Sequence, residues 1–156
     1  VKATVLVRPK GGILDPQGQA VEEALPALGF TGVSNVHVGR LVELEVDDPA
    51  GDARILVLGW GSTYGPIAAA ARVVRNAGHP VAQAHLTHLN PFPGNLGEVL
   101  RAYDRVVVPE MNLGQLSMLL RAKFLVDVRP HTSVRGLPFS TVELADVIST
   151  TIEELA

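Results

Sequence analysis

The fold of the larger part of this chain is decided by one stretch, Ile55-Leu56-Val57-Leu58-Gly59-Trp60-Gly61-Ser62-Thr63-Tyr64-Gly65-Pro66. Its four consecutive apolar residues, ended by a glycine, are typical of a strand that is buried on both faces. The glycines that follow predict a turn. Gly65-Pro66 then predicts the start of an alanine-rich helix over Ile67–Arg75, which Gly78 closes. The stretch therefore predicts a strand–turn–helix unit.

The alternation of strand and helix continues to the end of the chain. Apolar runs predict further strands at residues 81–84, 105–109 and 125–128. Alternation at these lengths predicts a parallel sheet with helices on both faces, so Val57, Ala82 and Val107 should lie on neighbouring parallel strands. The predicted helix faces are Leu96, Val99, Leu100 and Tyr103; Leu113, Leu116, Leu119 and Leu120; and Val142, Val147, Ile148 and Ile152, the last set following a Ser140–Glu143 capping-box spacing.

Residues 1–48 predict a separate α+β segment of strand, helix and strand. Alternation predicts strands at Lys2–Arg8 and Val33–Val46, with a bend or bulge at Gly39. Asp15 before Pro16 is typical of a helix start, and Gly29 is a plausible C-cap. One helix cannot cover such a sheet, so the segment needs a partner surface. Residues 49–53 are interpreted as a linker, and residues 54–156 as the second domain. The apolar positions of the first helix are Ala20, Val21, Ala24, Leu25 and Leu28.

Composition narrows the classes of function. The net charge is −3 without a Lys/Arg run, which argues against nucleic acid as a partner. The absence of cysteine excludes disulfides, thiolate zinc sites, Cys-ligated iron–sulfur clusters and a Cys nucleophile on this chain. It also fits a cytoplasmic protein. No apolar run approaches the length that a transmembrane helix needs, so the sequence predicts no membrane partner.

Several motifs of the second segment occur together and in a fixed order. They are Gly59–Pro66, His85–Pro93, Val108–Leu116 and Arg135–Phe139. On these motifs residues 54–156 resemble the C-terminal domain of the α subunit of 2-oxoacid (2-oxoglutarate):ferredoxin oxidoreductases. The resemblance implies an αβα sandwich of the transketolase C-terminal type. It also implies a parent reaction, the oxidative decarboxylation of a 2-oxoacid with coenzyme A, and a parent complex with thiamine diphosphate, magnesium and an iron–sulfur cluster.

The first segment resembles a different family. Ile13–Ala20, Leu28–Phe30 and Val38–Val46 are similar to the small S subunit of phosphoribosylformylglycinamidine synthase. That resemblance implies an assembly role in an amidotransfer step of purine biosynthesis, without catalytic residues, and association through this sheet. The chain thus looks like a hybrid of two families. Its origin as an artificial hybrid, a recombination product or a misjoined gene is open.

Three residues of the glycine turn are candidates for cofactor binding. Gly59, Gly61 and Ser62 lie between a strand and a helix, where backbone N–H groups could hold an anion. The spacing is not the dinucleotide fingerprint, and a tight turn is the alternative. In the resembled family another subunit holds most of the thiamine diphosphate and its metal, and its pyrophosphate motif is absent here.

Glu110 and Asn112 follow the third strand of the second segment, where ligands of open α/β sheets bind. They could line a cleft. Alternatively, Asn112 caps a helix beginning at Leu113, and Glu110 lies near the positive end of that helix.

Two further features are a candidate metal site and a candidate contact loop. His85 and His88 would need a further ligand such as Glu110 or His131, and the alternative is hydrogen bonding that fixes the loop. We predict no metal on this basis. The Asn90–Pro93 loop is expected to expose apolar residues for a subunit contact, with a packed surface loop as the alternative.

Taken together, the sequence predicts a non-catalytic structural and subunit-contact domain of an oxidoreductase α subunit, without catalytic residues or a cofactor of its own. Its expected partners are other oxidoreductase subunits and a second copy of the chain, joined through the first segment. Docking of that segment on residues 54–156 is the alternative to the dimer. The rival functions are an assembly subunit of the purine amidotransferase and a hybrid without activity.

Overall fold

The computed structural model describes residues 2–7, 15–38, 40–49 and 51–155, and the elements below are those of the described residues. The strands are β1 (Lys2–Val7), β2 (Arg40–Asp47), β3 (Ile55–Trp60), β4 (Ala82–Leu86), β5 (Arg105–Glu110) and β6 (Val128–Thr132). The helices are α1 (Pro16–Ala24), α2 (Tyr64–Asn76), α3 (Leu96–Arg101), α4 (Gln115–Phe124) and α5 (Thr141–Glu153), with 3-10 turns at Pro26–Leu28 and Gly61–Thr63.

The strands form one mixed sheet in the order β1-β2-β4-β3-β5-β6. Four of them, β4, β3, β5 and β6, are parallel, whereas β2 is antiparallel to both of its neighbours. Val57 pairs with Val107 on one side, and Leu56 pairs with Ala82 on the other. The predicted parallel arrangement of these strands is therefore confirmed.

The core lies on both faces of the parallel part of the sheet. Leu56 and Leu58 of β3 point to the face covered by α3 and α4, and Ile55 and Val57 point to the face covered by α2 and α5. All four side chains are buried. This explains the unbroken apolar run, because neither face of β3 meets water.

The last parallel strand begins later than predicted. Residues 125–127 do not belong to it, since β6 starts at Val128. Leu125 instead ends α4 in the left-handed conformation (φ 53°), and its N–H donates to the Arg121 carbonyl. Its side chain is 89% exposed. The apolar run Leu125-Val126 therefore belongs to a helix end and its connection.

Helix α4 also begins later than predicted. Asn112 Oδ1 accepts hydrogen bonds from the N–H groups of Gly114 (2.7 Å) and Gln115 (3.1 Å), which holds residues 112–114 in a turn. Leu113 lies in that turn and is 82% exposed. The buried side of the helix consists of Leu116, Ser117 and Leu120, and Leu119 is half-exposed.

Helix α5 begins as the capping-box spacing predicts, since Ser140 Oγ accepts from the Glu143 N–H at 3.0 Å. Val142 does not join its buried side and is exposed, because it lies in the first turn on the outer surface. The buried residues of this helix are Leu144, Ala145, Ile148 and Thr151.

In the first segment, Asp15 caps α1 as predicted, with Oδ1 accepting from the Gly18 N–H at 2.9 Å. The predicted strand from Val33 begins only at Arg40. The reason is that the N–H groups of Val36 and Val38 donate to the carboxylates of Glu22 and Asp15, both at 2.9 Å. Those backbone groups are therefore bound to α1. The predicted bend at Gly39 lies outside the described residues.

The apolar side of α1 does not pack on the sheet. Val21 is 42% exposed and Leu28, in the following turn, is 71% exposed. The buried residue of α1 is Gly18, where a Cβ would lie 2.4 Å from the Val36 carbonyl oxygen. The helix is thus held against residues 36–38 by polar contacts and a close backbone approach, and its apolar side faces outward.

Strand β2 connects the two parts of the sheet. It pairs with β1 along its length and with β4 at Val46↔Ala84 and Asp47↔Gln83. The Arg75 guanidinium fixes this junction, with Nη1 2.8 Å from Asp47 Oδ2 and Nη2 2.7 Å from the Asp47 carbonyl oxygen. The first segment therefore docks on the second within one chain. Among the described strands, only β1 and β6 are edges.

Candidate functional site

The candidate residues lie at the carboxyl ends of the parallel strands. Trp60 ends β3, Glu110 ends β5 and Thr132 ends β6, and Glu110 pairs with Thr132. The sheet thus brings Gly59, Gly61, Ser62, Glu110 and Asn112 to one edge, as the ligand sites of open α/β sheets require.

The glycine turn after β3 is closely packed. Thr63 Oγ accepts from the Trp60 N–H at 3.1 Å and donates to the Trp60 carbonyl at 2.9 Å. A Cβ on Gly59 would lie 2.7 Å from that oxygen and 2.5 Å from Ile67 Cδ1. Gly61 has a positive φ of 62°, and Ser62 is exposed. This geometry is that of the tight turn, and an anion-binding role for these residues stays a prediction.

Glu110 is fully buried, with 0% exposure. Its Oε2 accepts from the Leu116 N–H at 2.7 Å, and its Oε1 accepts from the Ser117 N–H at 2.9 Å and the Ser117 hydroxyl at 2.6 Å. The carboxylate therefore satisfies the first N–H groups of α4 at the positive end of that helix. With both oxygens engaged, Glu110 does not fit a magnesium or diphosphate site.

The histidines that the sequence analysis weighed as metal ligands lie in different surroundings. His88 is exposed and lies 3.0 Å from the Thr87 hydroxyl. His131 Nε2 lies 3.4 Å from Glu143 Oε1, without forming a hydrogen bond. Within the described ranges, no three His, Asp or Glu side chains form a group that could hold a metal ion.

Glu143 belongs to a polar group beyond β6. Arg135 Nη2 donates to both oxygens of Glu143 at 2.7 Å, and its Nε donates to Ser133 Oγ at 2.8 Å. The Arg135 guanidinium, with a smaller effect of His131, holds the pKa of Glu143 below its usual value. This group ties the loop after β6 to the start of α5.

The Asn90–Pro93 loop is packed through part of its length, and Pro91 is its exposed apolar residue. Phe92 is 8% exposed and meets the Phe124 ring edge-on at a centroid distance of 5.7 Å. Lys123 Nζ lies 5.1 Å from the centroid of the Phe92 ring. Pro93 is also buried. The alternative interpretation, a packed surface loop, matches this structure.

The sequence interpretation missed an apolar surface at the same edge of the sheet. Leu113 after β5 is 82% exposed, and Leu137 after β6 is 68% exposed. Large apolar side chains inside glycine-containing turns are a signal that could have revealed it, because such turns usually carry polar residues. We call this surface the carboxyl-edge patch, and its members are Trp60, Tyr64, Met111, Leu113, Val134 and Leu137.

A groove of about 640 Å³ lies beside the patch, between α2 and the junction of β2 with β4. Two of its floor residues, Gln83 and His85, have polar atoms closed to solvent, Oε1 and Nδ1, that find no hydrogen-bond partner among the described residues. Burial lowers the pKa of His85, and a hydrogen bond to the Gly61 backbone acts in the opposite direction. We call it the β2–β4 groove; its lining is Val46, Asp47, Tyr64, Ile67, Gln83, Ala84, His85 and Thr87.

Solved structures with this architecture define the class of fold. The chain is similar to 2-oxoglutarate:ferredoxin oxidoreductase from Magnetococcus marinus, solved with 2-oxoglutarate, coenzyme A and succinyl-CoA bound. The TM-score is 0.66 at 25% identity, over 90% of this chain and 24% of that one. A split-gene transketolase, an inactive β4 tetramer, matches 70% of this chain and 41% of its own with a TM-score of 0.53 at 14% identity. The predicted transketolase-like α/β fold is confirmed.

Relatives in sequence confirm both predicted resemblances. The 2-oxoglutarate oxidoreductase subunit KorA of Mycobacterium tuberculosis is 55% identical over 116 residues, which are 74% of this chain and 17% of that subunit. The chain thus spans a small part of the oxidoreductase subunits it matches. Residues 2–56 match the model of the PurS family, phosphoribosylformylglycinamidine (FGAM) synthase. PurS of Mycobacterium leprae is 46% identical over 57 residues, 36% of this chain and 72% of that subunit. Through these residues the chain belongs to the PurS family.

The two similarities overlap. A match of 116 residues cannot fit within residues 57–156, so the oxidoreductase match also includes most of β2, which lies inside the PurS match. Strand β2 is also the element that pairs with both β1 and β4.

Among the described residues, no helix has the length and apolar character needed to cross a lipid bilayer.

Proposed function

We propose that residues 54–156 act as a non-catalytic domain for structural and subunit contacts in an assembly of the 2-oxoacid:ferredoxin oxidoreductase type. The 55% identity to a 2-oxoglutarate oxidoreductase subunit supports the class of assembly. The parent reaction would be the coenzyme A-dependent oxidative decarboxylation of 2-oxoglutarate or a related 2-oxoacid. Thiamine diphosphate, magnesium and the iron–sulfur cluster would be held by other parts of that assembly.

The observation that carries the non-catalytic role is that the polar side chains at the carboxyl edge bind backbone groups of the protein itself. Glu110 accepts hydrogen bonds from Leu116 and Ser117, and Asn112 accepts from Gly114 and Gln115. These side chains shape α4 and have no acceptor directed at a substrate. Among the candidates for a cofactor contact, the exposed backbone at Gly61 and Ser62 is the best placed.

The carboxyl-edge patch supports a contact role for the same edge. Several large exposed apolar side chains at one edge of a domain are typical of a surface for another protein. The loops after β3, β5 and β6 all contribute to it, through residues such as Trp60, Leu113 and Leu137. We assign this surface to another subunit or domain of the oxidoreductase assembly.

The first test is an activity assay of the pure chain with 2-oxoglutarate, coenzyme A, thiamine diphosphate, magnesium and a redox dye. We expect no dye reduction above a heat-denatured sample, because the acidic and amide side chains at the carboxyl edge serve the fold. Dye reduction that persists after repurification of the chain would contradict the non-catalytic role.

A second candidate function is an assembly subunit of phosphoribosylformylglycinamidine synthase, with self-association through the first segment. The PurS match and the outward apolar side of α1 favour it. Edge strand β1 adds unpaired backbone groups that recruit another strand. We propose residues 1–48 as this unit, residues 49–53 as its connection, and a homodimer as its assembly.

Sedimentation over a range of concentrations tests the dimer. We expect a concentration-dependent dimer that Leu28→Lys weakens by about tenfold or more, because a charge would be placed in an apolar contact. Leu125→Lys, at an exposed leucine that ends α4, is the matched control and should have no effect. A monomer at high micromolar concentration would contradict the proposal. A chain that neither forms this dimer nor binds an oxidoreductase subunit would be a hybrid without activity.

A further inference from the structure

The connections after β5 and β6 lie side by side in the carboxyl-edge patch. The Ser133 N–H donates to the Glu110 carbonyl at 2.9 Å, which joins the start of one connection to the end of the neighbouring strand. A Cβ added to Gly114 would lie 3.6 Å from Thr132 Cγ2. Large apolar side chains of both connections are exposed at this place, namely Met111, Leu113, Val134 and Leu137.

These two connections offer a partner almost no charge. Residues 111–114 contain no charged side chain, and Arg135 is the one charged residue of 133–140. Its guanidinium is bound within the chain, at 2.7 Å from both oxygens of Glu143 and at 2.8 Å from Ser133 Oγ. Protein interfaces are depleted of charged residues at their centres. The surface therefore fits an apolar face of another protein.

The motifs that resemble the oxidoreductase α subunits point to the kind of protein. Gly59–Pro66, His85–Pro93, Val108–Leu116 and Arg135–Phe139 all lie at the carboxyl end of a parallel strand or in the connection that follows it. Every member of the carboxyl-edge patch except Val134 lies inside one of them. The residues that make this chain similar to those subunits thus also make the patch, which indicates a partner that those subunits supply.

The partner follows from how much of such a subunit the chain matches. The 116 matched residues are 17% of the KorA subunit of Mycobacterium tuberculosis, so most of that subunit lies outside the match. Domains of one chain contact each other through interfaces of their own. On the basis of the proposed function, we propose that the carboxyl-edge patch binds the part of an oxidoreductase α subunit that lies outside the match. The chain would then take the place of the subunit's own equivalent domain.

Co-expression with a shortened KorA tests this proposal. KorA of Mycobacterium tuberculosis is produced without the residues that match this chain, together with the full chain carrying an affinity tag. We expect the shortened KorA to be largely insoluble when produced alone, because its apolar contact face is uncovered. With the chain present, we expect it to be soluble and to be retained on the tagged chain in equal amount.

Three lysine variants locate the contact. Leu113→Lys and Leu137→Lys should each lower the retained KorA by about tenfold or more, because a charge would be placed in an apolar contact. Both side chains are exposed in the chain itself, so urea unfolding of these variants should match that of the unaltered chain. Leu125→Lys is the control and should retain KorA fully, since Leu125 ends α4 at the opposite edge of the sheet.

The outcomes separate this proposal from the broader function. Shortened KorA that is never retained, or that all three variants retain equally, would overturn it. So would a dimer of the chain that Leu113→Lys dissociates, because the patch would then belong to a second copy. Binding of the chain to the intact oxidoreductase, without binding to shortened KorA, would overturn this partner and leave the contact role standing. Binding to neither would contradict both.

Discussion

Replacing Glu110 by alanine should lower the free energy of unfolding by about 4 kcal/mol, the largest effect we expect from a single substitution. The change leaves three donors without an acceptor, namely the N–H groups of Leu116 and Ser117 and the Ser117 hydroxyl. Each unsatisfied buried donor costs about 1–3 kcal/mol, and rotation of the hydroxyl recovers part of the loss. Urea unfolding followed by circular dichroism measures the change.

A matched control is available on α5. Glu153 is an exposed glutamate, so Glu153→Ala should change the stability by no more than about 0.5 kcal/mol. Glu110→Gln keeps one acceptor oxygen and should fall between the two. A loss below about 1 kcal/mol for Glu110→Ala would show that α4 does not depend on this carboxylate.

Replacing Gly59 by alanine should destabilise the chain by about 2 kcal/mol, because the new methyl group has no space. It would lie 2.5 Å from Ile67 Cδ1 and 2.7 Å from Thr63 Oγ. The isoleucine can rotate, but Thr63 is held by its two hydrogen bonds to Trp60. Overpacking therefore has to displace the turn between β3 and α2.

Gly65 gives the opposite result from the same substitution. A Cβ there meets nothing within 4 Å, and the residue lies in the first turn of α2. Gly65→Ala should therefore stabilise the chain by up to about 1 kcal/mol through helix propensity. Thermal or urea unfolding of both variants decides whether close packing or ligand binding explains the presence of glycine at position 59. Equal and small effects would contradict the packing explanation.

The strands of the second segment could be predicted from the sequence because a strand that is buried on both faces is apolar at consecutive positions. Ile55–Leu58 and Val106–Val108 are apolar without interruption, and both segments are buried. The α5 start was equally readable, since Ser140 and Glu143 are close in sequence. In these cases the deciding interaction is local or repeats along the element.

The predicted bounds were wrong where a side chain binds backbone N–H groups that the predicted strand or helix start would otherwise use. The N–H groups of Val36 and Val38 are taken by Glu22 and Asp15, and alternation alone cannot reveal that competition with a strand. Asn112 similarly fixes a turn before α4 and leaves Leu113 outside the helix. For the candidate site, the position of Glu110 was predictable, whereas the choice between cleft and helix start depended on which donors surround it.

The pairing of β2 on both sides has a consequence for where another strand could join the sheet and for how the chain unfolds. An oxidoreductase-like sheet that ended at β2 would present this strand as a template for another chain. Here β1 already pairs with that edge of β2, so β1 is the strand that could pair with another chain. Releasing β2 would also break two ladders at once. The parts that resemble two families should therefore melt as a single cooperative unit.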